Sequence, residues 1–170
     1  VDPRNFPGEV FELWSIPSYD HGSPEILLGK DIGSQKKLVS PGDVLLSRIV
    51  PHIRRSWVVT PNLLSYRQIA STEWIVFSSE QILPSFLRCV LISDVFHKQF
   101  MMTVTGVGGS LTRASLSAVS TIEIPLPPIH IQKEIVSEIE AHQIEIKQFK
   151  RRISIHESQI KDKIEKLWKS

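Results

Sequence analysis

From Ile135 onward, apolar side chains return on a four-three step, with no glycine or proline to interrupt them. Written as heptads, position a is Ile139, Ile146, Ile153, Ile160 and Leu167, and position d is Ile135, His142, Phe149, His156 and Lys163. The a seam is wholly apolar and the d seam is mixed. A single long helix cannot bury such a seam alone, so it requires a long partner helix. Ile135, Ile139, Ile146, Phe149, Ile153, Ile160 and Leu167 are the residues expected to pair. Polar side chains at three d positions lower stability but restrict register and partner number. The alternative is a solvated helix laid on its own domain. Some 40 residues make a rod of about 60 Å, longer than a small domain is wide, so much of it must project.

The stretch leading into this helix is IEIPLPPIHIQKEIV. Ile122, Ile124 and Leu126 alternate with Glu123 and Pro125, which predicts a short strand with one buried face. Pro127 and Pro128 end it. Pro128 suits a first helical turn, where no N–H is needed and φ is already near helical.

Upstream of the helix there is enough apolar material for one real core, since 41% of the 170 residues are apolar. No run of 18 apolar residues reads as a membrane span. No signal peptide is evident, and the chain does not start with Met, which points to a processed chain or a piece of a longer one. The lone Cys89 lies in the apolar run LRCVLI and is expected to be a buried small hydrophobe in a reducing cytosol. Net charge is only +2, and residues 1–128 carry 11 basic and 11 acidic side chains. Any nucleic-acid site there must be a local patch rather than a global field.

In chain order, strands are expected at about 10–16, 44–49, 56–59 and 69–77. Residues after 16 up to 24 read as loop, and SPGD at 40–43 as a turn. A helix is expected over 83–102, opened by Pro84, with Phe86, Leu87, Val90, Leu91, Val95, Phe96 and Phe100 on one face. TVTGVGGSLTR at 103–113 is a glycine- and hydroxyl-rich loop, followed by a helical turn within 114–120. The fold class is α+β: a globular domain of short strands and helices over 1–128, then a long helix over 129–170. No internal repeat is present, so one domain on one helix is half of a symmetric object.

A catalytic constellation is not found. The six histidines have no H-x₃-H or cysteine-paired spacing, which argues against zinc. There is neither a G-x₄-GK[ST] loop nor a G-x-S-x-G elbow. Gly106-Val107-Gly108-Gly109 neither follows a strong strand nor opens a long helix. Asp20, Glu25, Asp31 and Asp43 read as turn residues, and Glu73 as a solvent-facing strand residue. The chain is therefore expected to be non-catalytic, with no metal site and no cofactor of its own.

The positive feature is a basic and aromatic patch. Arg48, His52, Arg54 and Arg55 lie around a proline-interrupted turn beside Trp57. An arginine fork matches the two acceptors of guanine in the major groove and also binds phosphate well. Arg67 and Gln68 follow in the next loop, and glutamine suits adenine. Lys36 and Lys37 add charge. The 103–113 loop offers backbone N–H groups, including that of Gly108, with Thr105, Ser110, Thr112 and Arg113, and such a loop can approach a phosphate backbone closely. The bland alternative is ordinary surface arginine and a flexible turn.

These motifs resemble those of type I restriction-modification specificity subunits. IPLPPIHIQKEIVSEIE is similar to the pattern IPLPPLxEQxxIVxxI that opens the family's long helices, with Ile131 standing where the family usually has Glu before Gln132. PGDVLLSRIVPHIRRSWVV resembles the family's GDVLxSxIRP segment, and TGVGGSLTRASLSAVSTIEIPLPP the small-residue loop before PLPP. The similarity runs over nearly the whole chain. It implies a target-recognition domain reading one half of a split double-stranded DNA target, and a helix that spaces two such domains and binds methyltransferase subunits. Those partners bring S-adenosylmethionine and methylate adenine, and a separate restriction subunit cuts. With one domain and one helix, the chain is expected to be a half-subunit acting as a homodimer, or a fragment of a two-domain chain. A segment upstream of Val1 is expected to be lacking. Localisation is expected to be cytoplasmic, away from membranes. The alternative reading is a helix-mediated assembly protein without sequence-specific DNA binding.

Overall fold

The computed structural model describes residues 1–106 and 112–168. The chain forms two compact units, one running from Val1 to Ile129 and one starting at His130. The first unit is α+β. Its strands are β1 (Val10–Trp14), β2 (Glu25–Leu28), β3 (Lys37–Leu38), β4 (Val44–Ser47), β5 (Ser56–Val58), β6 (Arg67–Ala70), β7 (Trp74–Phe77), β8 (Val104–Thr105) and β9 (Arg113–Ala114). Its helices are α1 (Ile16–His21), α2 (Pro84–Ile92), α3 (Asp94–Met102) and α4 (Leu116–Val119).

Four strands make one sheet in the order β2-β1-β6-β3, and three make a second in the order β5-β4-β7. All neighbours are antiparallel except β1 and β6, which run parallel with Phe11 opposite Arg67 and Leu13 opposite Ile69. A third, two-stranded ladder pairs Thr105 with Arg113. Strands of two to five residues are short, so side-chain packing must hold the sheets. One core packs β4 and β7 against α2, α3 and α4 through Leu46, Ile75, Leu87, Leu91, Phe96 and Phe100. A second gathers Trp14, Val39, Leu45, Val59, Ala70 and Trp74. There the Trp74 indole N–H donates to the carbonyl of Trp14 at 2.8 Å. Trp57 meets Trp14 edge-on at a centroid distance of 4.4 Å.

Five expectations need correction. The apolar run 69–77 is not one strand. The chain turns at 71–73, where the Trp74 N–H returns to the Ser71 carbonyl at 3.1 Å, so β6 and β7 enter different sheets. The expected helix over 83–102 is two helices. Ser93, extended at φ −66° and ψ 155°, ends α2 and caps α3 by accepting from the Phe96 N–H. Asp94 then sits in the first turn of α3, where a carboxylate is favourable. Because Leu91, Phe96 and Phe100 join one core, the apolar period survives the break and conceals it. The presumed loop after residue 16 contains α1, closed at its start by a reciprocal Ser15–Ser18 capping box and at its end by Gly22 in the left-handed region at φ 85°. Finally, residues 122–128 form no strand. Ile122 and Ile124 do turn toward the first core while Glu123 and Pro125 face solvent, but the prolines supply no ladder donors. Cys89 is half-buried rather than buried.

The second unit, from His130 on, is the helix α5 (Ile129–Leu167), 39 residues and thus about 58 Å long, with Ile129 at its start in the first unit. Gln132 and Val136 are its buried residues, and every residue from 140 to 168 is exposed.

Candidate nucleic-acid interface

The basic loop at 48–55 joins β4 to β5 and is braced from both sides. Ser47 closes its base, donating its N–H to the Arg55 carbonyl at 2.9 Å and its hydroxyl to the Ile49 carbonyl at 3.0 Å. Val50 takes a positive φ of 46°, costly for a β-branched residue, and the Ile53 N–H closes the turn on its carbonyl at 2.9 Å. On the other side runs the arm at 112–114. The Ala114 N–H donates to the Arg48 carbonyl at 2.8 Å, the Val50 N–H to the Thr112 carbonyl at 3.3 Å, and Ile49 bridges to Arg113. Loop and arm thus form one ledge, which brings Arg48 and Arg113 together although 65 residues separate them. Thr105 lies across the β8–β9 ladder, its hydroxyl donating to the Arg113 carbonyl at 3.4 Å. Gly108 and Ser110, with Val107 and Gly109, lie outside the described residues.

The arginines differ in what holds them. Arg55 grips Asp20 of α1 with Nε and Nη2 at 2.8 and 2.9 Å, and its side chain is 11% exposed. Arg54 reaches α3, where Nη1 meets the Asp94 carboxylate at 2.6 Å and the Ile92 carbonyl at 3.2 Å. Arg113 presents Nε and Nη2 to Glu73 at 3.3 and 3.1 Å, and Arg48 Nε lies 4.0 Å from the same carboxylate. Arg67 is clamped by both oxygens of Glu9, with its guanidinium over the rings of Phe6 and Phe11 at 4.3 and 4.9 Å. Gln68 is buried in β6, its amide nitrogen donating to the Thr60 carbonyl at 2.7 Å and to Glu12 at 3.3 Å.

Lys37 donates to the Trp74 carbonyl at 2.7 Å, and Lys36 to Ser34. Burial lowers the pKa of both lysines, helped at Lys37 by nearby Arg48. His52 is exposed on the loop. His97 of α3 is held below its ordinary value by burial and then by Arg54.

What sequence reasoning missed is the acids. Asp20 was expected in a turn and Glu73 facing solvent on a strand. Instead Asp20 ends in α1 against Arg55, and Glu73 sits in the 71–73 turn between two arginines. The matched count of 11 acids and 11 bases over 1–128 was the available signal, because it offers a carboxylate for every cation of the domain. On the helix, Ile146, Phe149, Ile153, Ile160 and Leu167 are exposed, as are Ile144, Ile155, Ile164 and Trp168, which lie off the a and d positions. Ile135 and Ile139 are half-buried. Among the described residues no group of His, Cys, Asp and Glu could hold a metal ion, and no helix is long and apolar enough to cross a membrane.

The described residues thus form a small α+β domain with an arginine-bearing ledge and one long helix with exposed apolar side chains. Comparison with known proteins gives the family: the chain belongs to the type I restriction modification DNA specificity domain family, which matches residues 34–166. It is 30% identical over 115 residues to the type I restriction enzyme HindI specificity subunit of Haemophilus influenzae, covering 66% of this chain and 25% of that protein. It is also similar to the crystal structure of the HsdS subunit from Thermoanaerobacter tengcongensis, with TM-score 0.76 and 28% identity over 89% of this chain and 40% of that one. A chain from a structure titled for complex assembly and conformational transition of the type I R-M system matches with TM-score 0.74, 28% identity and the same 40% share. The chain thus spans a quarter of the curated relative and two fifths of each solved chain.

Proposed function

We propose that the first unit reads one half of a bipartite DNA target for a type I restriction-modification system, and that α5 spaces it from a second such domain and holds methyltransferase subunits. The observation that carries this reading is the ledge, where two segments remote in sequence are braced together and bring Arg48 and Arg113 to one carboxylate, with His52 and Arg54 on the same loop. Such a rigid platform suits groove readout, because base-reading side chains must be held in register while others grip phosphates. Arg55, Arg67 and Gln68 belong to the domain's own framework, since their polar ends are already held by Asp20, Glu9, Glu12 and Thr60. Lys37 lies beside Arg48 and Glu73 and adds charge to the ledge, whereas Lys36 is held at Ser34, near Asp2 and Arg4. The chain itself is non-catalytic and holds no cofactor. S-adenosylmethionine is bound by the methyltransferase partner, and cleavage belongs to a restriction subunit. As a half-subunit the chain acts as a homodimer, as a fragment its helix pairs within the longer chain, and in either case the complex works in the cytoplasm. An assembly protein without DNA binding is the weaker reading, because it gives the ledge no task.

Duplex binding by the complex assembled with methyltransferase subunits, measured over a range of salt, tests the proposal. Log affinity should fall linearly with log salt by about 0.9 for each phosphate neutralised, and Arg48→Ala should reduce that slope by roughly one unit for all sequences alike. Binding that ignores salt and sequence would reject the reading.

A further inference from the structure

An arginine fork has two usable edges. The side edge is Nε with Nη2, and the end edge is Nη1 with Nη2. Guanine needs one complete edge, because its O6 and N7 accept two parallel bonds. The arginines near the ledge differ on this point. Arg54 spends its Nη1 on Asp94 and Ile92, so its end edge is blocked and only a side edge with no carboxylate behind it to hold it is left. Arg55 has its side edge on Asp20 but is almost wholly buried. Arg113 has its side edge on Glu73 and remains 47% exposed, and among the described residues nothing bonds its Nη1.

Glu73 is itself well anchored. Its N–H donates to the Ser71 hydroxyl at 3.2 Å and its carbonyl accepts from the Arg48 N–H at 3.0 Å. Its carboxylate is 28% exposed and lies in the turn where the chain passes from one sheet to the other. A carboxylate at the rim of a phosphate-binding surface lowers affinity for every sequence, so its presence there calls for a compensating role. Held by two bonds from behind, a guanidinium loses little further freedom when its end edge meets a base. Its charge is also largely neutralised, which keeps it from settling on the nearest phosphate.

We propose that Glu73 is a positioning residue for base readout, clamping the side edge of Arg113 so that its end edge reads a guanine. The inference rests on the DNA-reading role proposed above. Arg48, whose Nε is 4.0 Å from the same carboxylate and too far for a hydrogen bond, is left to act on phosphate.

The test is selection of bound duplexes from a random pool by the complex assembled with methyltransferase subunits, for the wild type, Glu73→Gln and Arg113→Lys. Lysine keeps the charge but has no fork. The wild type should select a half-site containing a guanine. Both variants should lose roughly tenfold or more of the preference for guanine at that one base pair and keep the others. Glu73→Gln should in addition bind random duplex more tightly, with a salt slope steeper by about one unit, because Arg113 becomes a phosphate ligand. Arg113→Lys should show no such gain. A merely structural glutamate would not separate the two readouts. If Glu73→Gln keeps every base preference, or loses all of them at once, the positioning role is wrong. If the wild type selects no sequence at all, the DNA-reading role itself falls.

Discussion

The globular unit and the helix treat the same kinds of side chain in opposite ways. In the domain Phe11, Trp14, Leu45, Ile69 and Trp74 are all less than 2% exposed, and most ledge arginines are tied to carboxylates from distant segments. On α5, Ile146, Phe149, Ile153 and Ile160 are each more than half exposed. Its charged contact is a local one, Lys161 with Glu165 at 3.8 Å, of a type that contributes only about 0.2–0.5 kcal/mol. The domain therefore draws its stability from its own cores, whereas the helix must draw much of its order from something docked on it. A single chain holds one self-sufficient half and one dependent half.

The most severe way to break that contrast is to empty the domain's centre. Trp74 fills the core between the two sheets and spends its indole N–H on Trp14. Trp74→Ala should cost about 3–5 kcal/mol, from lost burial, a cavity and an orphaned carbonyl. Urea denaturation followed by tryptophan fluorescence measures it. A loss below about 1 kcal/mol would mean that the two sheets do not share this core.

The next substitution acts on the dependent half. Ile146→Asp places an unpaired charge in the a seam, and should weaken self-association by roughly 2–4 kcal/mol, or about 30- to 1000-fold in dissociation constant. The urea midpoint of the domain should not move. Light scattering across a concentration series reads the first effect. A wild type that stays monomeric at tens of micromolar with its helix intact would show that another kind of partner covers the seam. The exposed Ile144 and Ile155 sharpen the same point: eleven residues apart, they fall on nearly the same azimuth of the helix and well away from Ile146, so one partner helix does not account for them.

The same division governs what could be read from the sequence. The helix was legible nearly to the residue, because periodicity and the lack of Gly and Pro are local properties. The strands β1, β4 and β5 were legible too, since each carries its own apolar pattern between turn residues. The sheet switch at 71–73 and the break at Ser93 were not, because in both places the apolar side chains continue into a core and only hydrogen bonding changes. The ledge was half legible. A cluster of arginines at 48–55 shows in the sequence, but its meaning depends on which carboxylate meets each one. Asp20, Glu73 and Asp94 are 35, 25 and 40 residues from Arg55, Arg48 and Arg54 in turn, and none of those separations has a local signature. Gln68, expected in a loop, lies in β6 for a related reason: a polar side chain in a turn-flanked segment looks exposed until the pairing with β1 draws it into a sheet.

The smallest effect concerns pH, and it belongs to the domain alone. His97 on α3 is half-buried beside Arg54, Asp94 and His52, and its pKa is lowered from the ordinary 6.5, first by burial and then by Arg54, with Asp94 opposing. A lowered value means that the folded domain prefers the neutral ring. As pH falls below about 6.5 the unfolded chain takes the proton before the folded one does, so stability leaks away. Above 6.5 both states hold a neutral ring and this contribution is fully present and flat. Asp94 and Asp20 do not interfere, because Arg54 and Arg55 hold both below the usual carboxylate value of 3.8 and they stay ionised across the window. His97→Gln keeps a polar side chain but cannot titrate. Urea midpoints of the wild type and the variant should therefore run parallel from pH 7 to 8 and converge or cross as pH drops from 6.5 toward 5, with the wild type losing more. Parallel lines across the whole range would show that His97 accepts its proton as readily in the fold as outside it, and would remove His97 from any account of acid sensitivity.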